Sequence, residues 1–62
     1  MTAANLIQMI ERDGWLRSRM RGTHRLYTHP HKPGVVTLRR HLTDQVAPAA
    51  LYAVLRQAGL KP

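Results

Sequence analysis

Trp15-Leu16-Arg17-Ser18-Arg19-Met20-Arg21, then Gly22-Thr23, then His24-Arg25-Leu26-Tyr27-Thr28, is the stretch whose pattern decides the fold. Arg17, Arg19 and Arg21 alternate with Leu16, Ser18 and Met20. That is the two-residue period of a half-buried strand, and it predicts that the three arginines share one face. Gly22-Thr23 marks a tight turn and His24 to Thr28 the return strand, so the segment is a β-hairpin whose register the sequence leaves open. His24 opens the second strand.

Working outward toward the N-terminus, Thr2 is placed to cap a helix over residues 3–13, with Ala3, Leu6, Ile7 and Ile10 at helical spacing and Gly14 as its stop. Toward the C-terminus, His29-Pro30-His31-Lys32-Pro33-Gly34 carries two prolines and a glycine, which forbid regular pairing and make a connection. Val35 to Leu38 is a β-branched run, a third strand ending at Arg39 and Arg40. Pro48 marks the first turn of a second helix with Leu51, Val54, Leu55 and Ala58 as its apolar stripe, and Gly59 closes it. The order helix-strand-strand-strand-helix predicts an α+β fold, a three-stranded antiparallel sheet with both helices on one face. Residues 1–62 are expected to form one domain, with the arginines on the open face of the sheet.

With 62 residues and no cysteine, the chain builds at most one modest core and has neither a disulfide framework nor a thiol nucleophile. Ten Lys and Arg against three acidic residues give a net charge of +7, which favours a polyanionic partner, nucleic acid above all. Eight of those ten and all four histidines fall between Arg12 and His41, so the charge belongs to the middle of the fold. No apolar run approaches the roughly 20 residues of a membrane span and no signal-peptide pattern opens the chain, so a soluble cytoplasmic protein is expected.

Alternate positions on one strand would set the guanidinium groups of Arg17, Arg19 and Arg21 roughly 6–7 Å apart, near the phosphate repeat of nucleic acid. Arginine forks bind phosphate oxygens bidentately and release counterions; the alternative is a charged edge strand kept soluble by its arginines. His24, beside Arg25, is a candidate proton carrier. Histidine is the side chain that titrates near neutrality, and RNA brings its own 2′-hydroxyl nucleophile, so no cofactor or metal is required. Arg21, Arg25 and Lys32 are candidates for stabilising the charge that develops on phosphorus. A lone histidine is more often a structural residue than a catalytic one, and spacing alone does not overturn that. His29, His31 and His41 make a poor metal set, with no cysteine or carboxylate beside them in sequence. Trp15 is expected in the core, while Tyr27 suits either packing or base stacking.

Leu6-Ile7, Asp13-Gly14-Trp15, Arg19, Gly22-Thr23-His24, His29-Pro30, Lys32-Pro33-Gly34, Val36-Thr37 and Leu55-Arg56-Gln57-Ala58-Gly59-Leu60 occur in that order. Together they resemble the HicA family of bacterial mRNA interferase toxins. The resemblance implies a double-stranded-RNA-binding-like fold and a ribosome-independent mRNA endonuclease. It also implies a catalytic histidine after a glycine and a small hydroxyl residue, here His24 after Gly22 and Thr23, and a HicB-type antitoxin that covers the active face. The chain departs from the family pattern in having Thr23 where serine is usual, and Arg25-Leu26-Tyr27 where a more polar segment is common. The resulting expectation is an endoribonuclease in which His24 is the acid or base, Thr23 positions it, and Arg17, Arg19, Arg21, Arg25 and Lys32 meet the RNA. The rivals are a non-catalytic RNA-binding module and a subunit whose charge serves only an acidic protein partner.

Overall fold

A computed structural model describes residues 1–39 and 41–60. The elements are α1 (Ala3–Arg12), β1 (Leu16–Arg21), β2 (His24–Thr28), β3 (Val36–Arg39) and α2 (Pro48–Gln57), in the expected order and within one residue or so of the expected bounds. The strands form one antiparallel sheet in the order β1-β2-β3. This is the α+β arrangement of the double-stranded-RNA-binding-like fold. Among the described residues no helix is long and apolar enough to cross a membrane.

The Thr2 hydroxyl accepts from the Asn5 N–H at 3.2 Å and so caps α1. Two more of its first-turn N–H groups, on Ala3 and Ala4, donate to the carbonyls of Asp44 and Leu42, which ties the segment after β3 to the start of the chain. Buried Leu6, Ile7 and Ile10 from α1 meet Val54, Leu55 and Ala58 from the α2 end of the chain, with Tyr27, Val36 and Leu38 from the sheet beneath them. Trp15 completes this core. It precedes β1 instead of opening it, is fully buried, and its indole N–H donates to the Ala58 carbonyl at 3.2 Å. Tyr27 is 1% exposed, so the choice left open by sequence falls to packing.

One expectation is overturned. Arg17 pairs with Tyr27 and Arg19 with Leu26, so Ser18 between them has no opposite number and forms a bulge. Its hydroxyl donates instead to the Leu26 carbonyl at 3.2 Å. Neighbours on a strand face opposite ways, and directly paired residues face the same way. Arg17 therefore shares the helix-covered face with Tyr27, whereas Arg19 and Arg21 share the open face with Leu26 and His24. An extra residue flips everything beyond it, and β1 has too little apolar alternation to resist that flip.

Candidate active site

β1 and β2 are joined by Gly22 and Thr23 alone, with Arg21 and His24 as the closing pair. Gly22 has φ +60° and Thr23 does not have positive φ, the pattern of a tight hairpin turn that needs glycine at its first central position. The turn delivers His24 to the first position of β2, exposed on the open face. Its Nδ1 lies 3.3 Å from the Thr23 hydroxyl oxygen. A hydroxyl both donates and accepts, so it can hold the ring in either neutral tautomer. Nε2 has no partner among the described residues and is left for a ligand.

Around His24 the open face carries Arg21 directly opposite on β1, Arg19 beyond it opposite Leu26, and Thr37 on β3, which is also paired with Leu26. The backbone of Arg39 pairs with that of His24. Arg40, expected at the end of the third strand, lies outside the described residues.

Arg25 follows His24 in sequence but belongs to the other face, paired with Leu38 and two residues from Tyr27. It lines a groove of about 410 Å³ with Arg17, Tyr27, Gln8 and Glu11, between α1 and the sheet. Its Nε is buried without a hydrogen-bond partner among the described residues. Burial also raises the Tyr27 phenol above its ordinary value, so that group stays neutral. Neither Arg17 nor Arg25 shares His24's face.

Lys32 is also removed from His24. Its ammonium donates to the Asp13 carboxylate and, at 3.1 Å, to the Ala58 carbonyl at the end of α2. It packs against Gly59, whose φ of +72° ends the helix. That cluster sits past the far end of β2 from His24, about 14 Å along a strand rising ~3.4 Å per residue. The ammonium beside it holds the Asp13 carboxyl below the ordinary aspartate value.

Sequence reading did not identify the role of His29. Its Nε2–H donates to the Asp13 carbonyl at 2.7 Å, and its Nδ1 accepts the backbone N–H groups of His31 and Lys32 at 2.9 and 3.2 Å. The ring meets Trp15 edge to face, centroids 5.3 Å apart. Both ring nitrogens of His29 are therefore committed to the scaffold. The signal lay in the fragments that carry the family resemblance: Asp13-Gly14-Trp15, His29-Pro30, Lys32 and Ala58-Gly59 all meet in this one cluster. Gly22-Thr23-His24 and Arg19 lie apart from it, at the exposed hairpin.

No curated protein sequence matches the chain. Residues 3–60 match the family described as HicA toxin of bacterial toxin-antitoxin. The match covers both the scaffold cluster and the hairpin with its histidine, and the chain belongs to the HicA toxin family.

Proposed function

We propose that this protein is the toxin of a HicA/HicB-type toxin–antitoxin pair and a metal-independent endoribonuclease that cuts mRNA with His24. The observation that carries this reading is the exposed His24 imidazole, held through Nδ1 by the Thr23 hydroxyl at 3.3 Å, on the face shared with Arg19 and Arg21. As a base, Nε2 takes the proton of a ribose 2′-hydroxyl. The 2′-oxygen then bonds to the adjacent phosphorus while the bond from phosphorus to the 5′-oxygen breaks, and that oxygen leaves with a proton from the imidazolium or from water. Arg21 and Arg19 bind the phosphate oxygens and offset the negative charge that builds on them.

The same face suits inhibition. A HicB-type antitoxin laid over Arg19, Arg21 and His24 would occupy the RNA site directly and add buried surface to a small domain. The deciding test is cleavage of a long single-stranded RNA, with a chelator present, by wild type and by His24→Ala, with folding and RNA binding checked for both. Cleavage by wild type alone, lost on adding an equimolar antitoxin, is the expected result. Equal cleavage by both proteins would remove His24 from the chemistry, and binding without cleavage by either would leave a non-catalytic RNA-binding module.

A further inference from the structure

A second concavity adjoins His24. It has a volume of about 330 Å³ and is lined by His24, Thr37, Gln45, Val46, Ala50 and Val54, among others. Thr37 and Leu38, from opposite faces of β3, both border it, so it runs along the outer edge of that strand toward the start of α2. We infer that this cleft is a nucleobase subsite, which takes the base of a nucleotide flanking the bond that His24 cleaves. The inference rests on the endoribonuclease reading above and adds to it where the substrate's base goes.

Three observations converge on that occupant. The first is position: a histidine that serves the 2′-hydroxyl is one ribose ring from the base, so a hollow that touches the histidine is where the base arrives. The second is size, since 330 Å³ lies at the small end of ligand pockets, which run from about 300 to 1,000 Å³. The third is lining. Val46, Ala50 and Val54 supply apolar lining for the faces of a splayed-out base, and Thr37 and Gln45 add a hydroxyl and an amide to the same lining, the combination that holds and reads unpaired bases. The Gln45 backbone is pinned to Thr2 by an isolated bridge, which fixes where along the cleft its side chain starts. A base can therefore bend over the β3 edge while its phosphates stay on the open face with Arg19 and Arg21.

The test uses the full chain and a short 2′-O-methyl oligoribonucleotide, which lacks the nucleophile and is not cut. Methyl resonances of Val46, Ala50 and Val54 are expected to shift on adding it, and to stay in place with an abasic oligomer of the same length and charge. Ala50 is exposed at the start of α2, so Ala50→Phe fills the cleft without touching the core. It should abolish the shifts of the Val46 and Val54 methyls, and together with Gln45→Ala it should flatten any base preference beside the cleavage sites by about tenfold. The inference is overturned if the oligomer binds without moving these methyls, if the abasic oligomer moves them equally, or if Ala50→Phe cuts with the wild-type pattern. Should wild type bind RNA without cutting it, the cleavage reading falls, and the methyl shifts still decide whether a base enters the cleft.

Discussion

Arg17 and Arg19 stand two residues apart on β1 and face opposite sides of the sheet, because Ser18 between them has no partner on β2. The arginine row suggested by alternation is thereby split into an outer pair, Arg19 and Arg21, beside His24, and an inner pair, Arg17 and Arg25, in the groove under α1. Basic residues that are equivalent in sequence are not equivalent toward a ligand lying on the open face.

RNA affinity measured against salt should expose that split. Removing one cation that neutralises a phosphate of single-stranded RNA lowers the slope of log K against log salt by about 0.7 to 1. Arg19→Ala and Arg21→Ala should each show that decrease, whereas Arg17→Ala should leave the slope nearly unchanged. Equal decreases at all three positions would mean that RNA wraps the β1 edge, and would overturn the assignment of the site to one face.

The helices were legible in the sequence because their signals are local: apolar residues at helical spacing, Thr2 before α1, Pro48 opening α2, and Gly14 and Gly59 just past the ends. The hairpin turn was legible for the same reason, since Gly22 has a conformation that glycine adopts freely. The bulge was not. All six residues of β1 are exposed, so burial does not fix its phase, and only the pairing with β2 reveals which arginine faces which way. The Asp13–Lys32 ion pair joins residues 19 apart through a proline-rich connection, and no periodicity reports such a pairing. In sequence Lys32 therefore reads as a free cation, whereas in the fold its ammonium is paired with Asp13.

On the proposed endoribonuclease reading, Thr23 would act through His24, whose Nδ1 its hydroxyl meets at 3.3 Å, and so as a positioning residue. Removing its hydroxyl while keeping its shape, Thr23→Val, forfeits one hydrogen bond of about 0.5–1.5 kcal/mol, which corresponds to a two- to tenfold fall in kcat with KM little changed. Thr23→Ser restores the hydroxyl and should restore the rate. If the valine and serine variants are equally slow, the hydrogen bond is incidental.

Gly14 has φ +107°, and a Cβ built there would lie 2.7 Å from His29 Nε2. Gly14→Ala should therefore cost on the order of 1–3 kcal/mol from the backbone conformation alone, and more from displacing the ring that bonds to the Asp13 carbonyl. Thermal denaturation reads the loss directly. A variant as stable as wild type would show that the chain around Gly14 and His29 relaxes without penalty.

The Asp13–Lys32 ion pair makes stability depend on pH in a definite direction. Because the adjacent ammonium lowers the Asp13 carboxyl in the folded protein, the unfolded chain binds the proton more readily. The pair is fully stabilising above the unfolded aspartate pKa of about 3.9, and its contribution disappears as pH falls through the lower folded value. Wild type should thus lose stability below about pH 4 more steeply than Asp13→Asn, whose curve should be flatter there. Lys32→Met removes the largest part of that pH dependence by deleting the partner. If Lys32 instead served RNA, Lys32→Met would lower the salt slope of RNA binding and leave the acid limb of the stability curve as it is in wild type; its bonds to Asp13 and Ala58 predict a nearly unchanged salt slope and a flatter acid limb.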